Sequence, residues 1–135
     1  MIVDASVLIA AANDRDPEAA RCRDVLRSKL NEALVVPALA LAEAAYLIQS
    51  RLGPVAEIAL ASSLTVTPWL VEGPTHEDLL RAVGLMRQYV DLPLGLSDAL
   101  GVALAERIGE TTIASLDHHF RIVRPVHTEA FDVLP

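Results

Sequence analysis

Apolar residues along this chain alternate between short continuous runs and longer segments in which apolar positions recur every three or four residues. The short runs have the β-rich composition of buried strands, and they cover residues 2–5, 34–36, 64–67 and 111–114. The longer segments are typical of helices, and they cover residues 6–12, 17–30, 38–51, 55–63, 75–89 and 97–107. A last extended piece, residues 122–126, contains Pro125 and is expected to pair only at a sheet edge.

The regular alternation of strand and helix predicts an α/β protein. Strands that are apolar throughout are covered on both faces, so we expect a three-layer α/β/α sandwich around a mostly parallel sheet of four to five short strands. The 135 residues are enough for one substantial core but not for two, which predicts a single domain over residues 1–135.

Composition narrows the class of protein. The formal net charge of −7 argues against binding of nucleic acid through a broad basic surface, although not against an enzyme that meets phosphate through metal ions. The single cysteine, Cys22, excludes an internal disulfide or a cysteine-based zinc site built from this chain alone. No apolar run approaches the roughly 20 residues that span a bilayer, and the first residues lack a basic region, so we expect a cytoplasmic protein with no membrane partner.

Four carboxylates stand singly in otherwise apolar stretches: Asp4, Glu43, Asp98 and Asp117. Asp4 and Asp117 come at or just after the carboxyl ends of predicted strands, and Asp98 lies in the first turn of a predicted helix. The carboxyl ends of parallel strands form the edge at which such sheets bind ligands. We therefore expect these acids to meet at one edge of the sheet.

Each acid also has a simpler explanation. Asp4 and Asp98 are suited to capping helix N-termini, and Asp117 to opening a turn. Glu43 is harder to explain in this way, because helical spacing places it on a mostly apolar face. The other members of that face are Leu39, Ala40, Tyr46, Leu47 and Ser50. On this interpretation Glu43 links the other three acids into one site.

Crowded carboxylates need a cation. Two unit charges about 4 Å apart repel by roughly 4 kcal/mol at an effective dielectric constant of about 20, so four converging acids would partly protonate without one. One or two Mg²⁺ or Mn²⁺ ions remove this cost, since both prefer oxygen ligands and can activate water against a phosphodiester. Ser6 and Ser115 are candidates for hydrogen bonds to a carboxylate or phosphate, and Arg15 is a candidate phosphate contact.

The order and spacing of these residues resemble those of the PIN-domain ribonucleases. In size and layout the chain is similar to the VapC-type toxins of bacterial toxin–antitoxin pairs, and the resemblance covers essentially its whole length. It rests on residues 4–6 (Asp-Ala-Ser), on Glu43, on residues 98–99 (Asp-Ala) and on residues 115–120 (Ser-Leu-Asp-His-His-Phe).

What the resemblance implies is a PIN-like fold and an endoribonuclease that hydrolyses RNA with Mg²⁺ or Mn²⁺. The family's catalytic acids and metal ligands then correspond to Asp4, Glu43, Asp98 and Asp117. Relatives of this kind are usually homodimers, and a cognate antitoxin covers the acidic site and holds the toxin inactive.

Two other functions stay open. An aspartyl-phosphate phosphoryl-transfer domain also gathers acids at strand ends, but it needs a lysine opposite the phosphoryl group, and the only lysine, Lys29, lies in a charged helix. A catalytically inactive PIN-like binding module is the second alternative, although all four acids are present. The adjacent His118 and His119 are expected to diverge, and so to be surface or supporting residues and not the ligand pair of a zinc helix.

Overall fold

The computed structural model describes residues 1–66 and 69–135, and within these ranges strands and helices alternate as the sequence predicts. The elements in chain order are β1 (Ile2–Val3), α1 (Ala5–Ala12), α2 (Ala19–Ser28), β2 (Leu34–Pro37), α3 (Ala38–Leu52), α4 (Pro54–Ser63), β3 (Trp69–Glu72), α5 (His76–Gln88), α6 (Leu96–Ile108), β4 (Thr112–Ala114), α7 (His119–Ile122) and β5 (Asp132–Leu134). Every helix predicted from the sequence is confirmed, with ends within two residues of those observed. Among the helices of the described ranges, none combines the length and the apolar character needed to cross a bilayer.

The strands form one sheet in the order β3-β2-β1-β4-β5, and every neighbouring pair is parallel. In the centre, Ile2 of β1 pairs with Val35 of β2 on one side and with Ile113 of β4 on the other. The chain moves outward from β1 through β2 to β3, then returns to the other side of β1 with β4. Sheets of this kind bind ligands at such a reversal, outside the carboxyl ends of the strands. The ends of β1 and β4 therefore mark the expected position of a site.

Successive side chains of the central strand enter different cores. Ile2 belongs to a core that includes residues of α5 and α6, whereas Val3 belongs to a second core that includes residues of α1 and α3. This is the consequence of the two-residue period of a strand, which sends neighbouring side chains to opposite faces of the sheet. The predicted three-layer α/β/α architecture is thus confirmed.

Helix α6 is buried along the continuous run of residues 99–105, in which alanine and glycine alternate with larger residues. A helix that is buried all round needs small side chains where it approaches its neighbours, and Gly101 faces the ring of Phe120. The helix ends at Gly109, whose φ of 70° is in the left-handed region that favours glycine. This close packing fixes the start of α6, and with it Asp98.

The third strand lies later in the chain than the sequence analysis predicted. Residues 64–66 form the turn that ends α4, Leu64 packs against the core, and the predicted strand's last residue, Thr67, lies outside the described residues. The observed strand begins at Trp69. The backbone N–H of Thr65 donates to the Ser62 carbonyl at 3.2 Å, so this segment continues the end of α4, and pairing with β2 begins only at Trp69.

The predicted extended segment 122–126 is not a strand. The short helix α7 reaches Ile122, and the backbone N–H groups that follow are bonded elsewhere: that of Arg124 donates to the Tyr89 hydroxyl at 3.0 Å, and that of Val126 donates to Glu106 Oε1 at 3.0 Å. The edge position belongs to β5, which pairs with β4. Side-chain acceptors just after α5 and on α6 thus replace the ladder that a strand would need.

A reciprocal pair of hydrogen bonds fixes the start of α5. Thr75 Oγ1 accepts from the backbone N–H of Asp78 at 3.1 Å, and the Asp78 carboxylate accepts from the backbone N–H of Thr75 at 2.9 Å. Thr75 is therefore the N-cap of α5, and the two bonds form a capping box. Arg107 Nε donates to the same carboxylate at 3.0 Å, so Asp78, only 3% exposed, ties α5 to α6.

Replacing Asp78 by alanine is expected to lower the free energy of unfolding by about 2–4 kcal/mol, because the change removes the cap and leaves Arg107 without its buried partner. Urea denaturation followed by circular dichroism measures this loss. The control is Glu77→Ala at the neighbouring exposed position, where we expect a change of about 0.5 kcal/mol or less. Equal losses in the two variants would contradict the assignment.

Candidate active site

A cavity of about 530 Å³ opens at the carboxyl edge of the sheet, beside the ends of β1 and β4. All four acids that the sequence singled out line this cavity: Asp4, Glu43, Asp98 and Asp117. They come from four different elements, so only the fold brings them together. The convergence predicted from strand ends is what the structure has, while the roles of the four acids stay predictions.

Asp4 follows β1 and is the N-cap of α1, with 8% of its surface exposed. Its Oδ2 atom accepts three hydrogen bonds: from the Ser6 backbone N–H at 3.2 Å, from Ser6 Oγ at 2.5 Å and from Ser115 Oγ at 2.9 Å. Within the described residues no hydrogen bond reaches Oδ1. The capping role therefore occupies one oxygen of Asp4 and leaves the other for a ligand.

The two serines also hold the end of β4. Ser6 Oγ accepts from the backbone N–H of Leu116 at 3.0 Å, and Ser115 Oγ accepts from the backbone N–H of Asp117 at 2.9 Å. The prediction that Ser6 and Ser115 donate to a carboxylate is confirmed, and that carboxylate is Asp4. Each hydroxyl thus orients Asp4 and at the same time places the chain that carries Asp117.

Asp98 lies in the first turn of α6, whose N-cap is Gly95, so Asp98 is not itself the cap. Burial in the cavity wall raises the pKa of Asp98 from 3.8 to about 6, and the nearby charges of Asp4 and Asp117 act in the same direction. Desolvation and like charges both disfavour the ionised form. The raised pKa of Asp98 therefore reflects both its burial and the nearby acids of this cavity.

The interpretation of the helix face around Glu43 was wrong. The buried face of α3 consists of Ala40, Ala44 and Ile48, whereas Glu43 is exposed and Tyr46 is 70% exposed. The small residues Ala40 and Ala44, four positions apart, let this side of α3 pack closely against the core. Glu43 then lies beside the buried face and not within it. Glu43 reaches the cavity from its rim, so its place in the site rests on the fold and not on an apolar surrounding.

Three polar or charged lining residues were missed from the sequence: Asp16, Arg51 and Ser97. Arg51 had a detectable signal, because residues 43, 47 and 51 recur every four positions on α3 and all three line the cavity. Ser97 precedes Asp98 in the first turn of α6, and its hydroxyl is buried without a partner among the described residues. Asp16 lies in the connection before α2, where no periodic pattern marks it.

Arg15 lies outside this cavity. It lines a neighbouring one of about 380 Å³, together with Asp14 and Arg51. Arg51 borders both cavities, so the two open next to each other. The predicted phosphate contact of Arg15 therefore applies to a position beside the acidic cavity.

The expectation that His118 and His119 diverge was also wrong. Their ring centroids are 4.4 Å apart, and both Nδ1 atoms approach Asp117 Oδ1, at 3.5 Å and 3.0 Å respectively. The backbone N–H of His119 donates to the same oxygen at 2.9 Å, which begins the short helix α7. This tight turn after Asp117 brings the two rings to one side.

The oxygen donors of the cavity fit a hard divalent cation. Asp4 has an oxygen free of hydrogen bonds from the described residues, and the buried Ser97 hydroxyl has no partner among them. Buried polar atoms normally have partners. Clustered carboxylates with spare oxygen atoms suit Mg²⁺ or Mn²⁺ and the waters that such ions retain.

In protein kept free of metal by a chelator, we expect the contribution of Asp98 to stability to fall as the pH rises from about 4 to about 6. Asp98 holds its proton to higher pH in the folded chain than in the unfolded chain, so the folded state binds more protons in this window. The Asp98→Asn variant is expected to melt above the wild type at about pH 7 and to lose this advantage below about pH 4.

Melting temperatures recorded across this pH range in the presence of EDTA measure the effect. Asp91→Asn, at an exposed position outside the cavity, is the matched control and should follow the wild type. A difference between Asp98→Asn and wild type that does not vary with pH would refute the raised pKa.

Comparison with known proteins agrees with this geometry. The model of the PIN domain family matches residues 1–124. Ribonuclease VapC26 of Mycobacterium tuberculosis is 33% identical over 136 residues, which cover 100% of both chains.

A solved structure gives the same fold. The crystal structure of Mycobacterium tuberculosis VapC20, a toxin that cleaves the sarcin–ricin loop, matches with a TM-score of 0.84 and covers 95% of this chain and 98% of that chain. The sequence identity is 22%, so this likeness concerns the fold alone. Because the family model and the relative of full length agree, the chain belongs to the PIN-domain family and, within it, to the VapC ribonucleases.

Proposed function

We propose that this chain is a metal-dependent endoribonuclease that hydrolyses RNA phosphodiesters and is the toxin of a type II toxin–antitoxin pair. The observation that carries the proposal is the convergence of Asp4, Glu43, Asp98 and Asp117 on one cavity at the carboxyl edge of the sheet. Membership of the VapC ribonucleases supports the reaction class, since the family acts with divalent metal.

In this proposal the four acids hold one or two Mg²⁺ or Mn²⁺ ions. When bound, such an ion supplies Lewis acidity toward a phosphodiester. Asp4 offers Oδ1, because the serine hydroxyls occupy Oδ2. Asp98 offers a carboxyl whose pKa is raised by burial and, after that, by the charges of Asp4 and Asp117, so positive charge in the cavity favours its ionised form. Glu43 closes the group from the rim.

The substrate's phosphate meets cationic side chains at the border of this cavity. Arg51 is the only Lys or Arg side chain among the described residues that line the acidic cavity, and it also borders the cavity of Arg15. A guanidinium provides several N–H donors in a geometry that matches phosphate oxygens. We assign Arg51 and Arg15 to the RNA backbone on the side of the cavity where α3 ends.

The partners and location follow from the same family. We propose a single domain over residues 1–135 that forms a homodimer in the cytoplasm, with a cognate antitoxin covering the acidic cavity. A net charge of −7 leaves little broad attraction for RNA, so substrate recognition depends on local contacts and on the metal. A basic side chain of the antitoxin placed among the acids would both neutralise them and exclude metal.

The two alternatives are weaker on the geometry. An aspartyl-phosphate domain needs a lysine in the cavity, but Lys29 is bound to Glu32, with Nζ 2.9 Å from Oε1, and does not line it. An inactive binding module would not need Asp4 to keep an oxygen free. The binding module remains a possible outcome of the cleavage experiment.

We expect the purified chain to cleave RNA with Mg²⁺ or Mn²⁺ and to lose cleavage in EDTA. Asp4→Asn should lower the rate by about 100-fold or more, because it removes a charge that holds the cation. The matched control, Asp91→Asn, keeps wild-type activity. Cleavage that persists in EDTA would overturn the metal-dependent mechanism, and a chain inert with every metal would favour the binding module.

Metal binding should also stabilise the protein. We expect millimolar Mn²⁺ to raise the melting temperature of the wild type at neutral pH, because a ligand that binds only the folded state adds to its stability. The double variant Asp4→Asn, Asp98→Asn should show a much smaller rise. An identical rise in both proteins would place the ion outside the acidic cavity.

A further inference from the structure

Two imidazoles stand beside the acidic cavity, where the acids alone suit Mg²⁺. Asp117, His118 and His119 each offer one donor atom, and the three donor atoms lie within 4.8 Å of one another. Asp117 is half-buried, His119 is 13% exposed and His118 is 70% exposed, so the group runs from the cavity wall to solvent. Its composition, two nitrogen donors and one carboxylate, differs from that of the other acids.

Two of the distances within this group match those between ligands of one small ion. Ligand atoms about 2.0–2.1 Å from a tetrahedral Zn²⁺ lie roughly 3.3 Å from each other. The Nδ1 atoms of His119 and His118 lie 3.0 Å and 3.5 Å from Asp117 Oδ1. These two distances bracket the value that a shared ion requires.

The buried ring nitrogen of His119 gives independent support. Nδ1 of His119 is inaccessible to solvent and has no hydrogen-bond partner among the described residues. Although it lies close to Asp117 Oδ1, the pair is not aligned for a hydrogen bond. A buried polar atom without a partner is costly. A metal ion on the lone pair of this nitrogen removes that cost.

We propose that Asp117, His118 and His119 form a transition-metal site at the rim of the acidic cavity, which takes Zn²⁺, Co²⁺ or Ni²⁺ in preference to Mg²⁺. Imidazole nitrogen favours these ions, whereas Mg²⁺ keeps to oxygen ligands. Three protein ligands leave a fourth position for water, as in open zinc sites. The site stands on its own geometry and does not require RNA cleavage.

Occupation of this site has a consequence for the acidic cavity, and this consequence rests on the proposed function. Asp117 belongs to both groups, so an ion held by the two histidines occupies Asp117 Oδ1, the oxygen that lies beside them. Zn²⁺ bound at the rim therefore inhibits cleavage that Mg²⁺ supports. The two groups of ligands compete through one shared carboxylate.

Titration of the untagged chain with Co²⁺, followed by its visible absorption, tests the site. Wild type and His76→Asn, a control at an exposed position on α5, should show the bands of a nitrogen-containing site. His118→Asn and His119→Asn should each bind Co²⁺ at least about tenfold more weakly. Because His118 is mostly exposed, its variant is expected to fold normally. Equal affinities and spectra in all four proteins would overturn the proposal.

Two further measurements separate this proposal from the proposed function. Asp4→Asn should lose RNA cleavage yet keep the His-dependent Co²⁺ bands, and loss of the bands in Asp4→Asn would place the Co²⁺ among the acids instead. Micromolar Zn²⁺ should inhibit Mg²⁺-supported cleavage in wild type and much less in His118→Asn. Equal inhibition of the two would refute competition through Asp117, whereas a wild type without cleavage would refute only the proposed function.

Discussion

Three hydrogen bonds to a single carboxylate oxygen, Asp4 Oδ2, organise the carboxyl edge of this sheet. Ser6 lies in the first turn of α1, shortly after β1, and Ser115 directly follows the adjacent strand β4. Both hydroxyls donate to Asp4 and accept from the backbone beyond β4. The network fixes β1 and β4 relative to each other at the point where the strand order reverses. It also bears on the chemistry, because it satisfies one oxygen of Asp4 and leaves the other without a hydrogen bond from the described residues. Without these two hydroxyls, only the backbone N–H of Ser6 would compensate the desolvation of this buried carboxylate.

The second constraint is the crowding that this arrangement produces. Close packing of α6 brings Asp98 to the same edge, and burial together with the charges of Asp4 and Asp117 raises its pKa. The folded chain therefore carries a cluster of acids against which the described lining residues set a single Lys or Arg side chain, Arg51 on the α3 side of the cavity. A protein keeps such a cluster only if something binds there. The crowded acids thus lower the stability of the fold and at the same time favour the binding of cations.

Much of this site can be predicted from the sequence, because one rule is enough for three of the acids. Parallel strands end at a common edge, so Asp4 and Asp117 had to meet if the alternation of strand and helix was interpreted correctly, and Asp98 at the start of a packed helix joins them. Glu43 was assigned to the same cavity for a wrong reason, since the side of α3 that packs inward is set by its small residues and not by the apolar face that helical spacing suggested.

The third strand, the fifth strand and the facing histidines depend on tertiary contacts. Examples are the Tyr89 and Glu106 side chains, which accept hydrogen bonds from the backbone after α7. Local patterns contain no information on these contacts.

The central claim is that the four acids converge in order to hold a divalent cation, and crystals grown with Mn²⁺ test it most directly. Anomalous scattering locates the ion without reference to any activity. The account predicts a peak in the acidic cavity about 2.0–2.3 Å from Asp4 Oδ1, with carboxylate oxygens of Asp98 or Asp117 completing its ligands. An empty cavity at millimolar Mn²⁺, or Mn²⁺ bound only at other surface carboxylates, would contradict it.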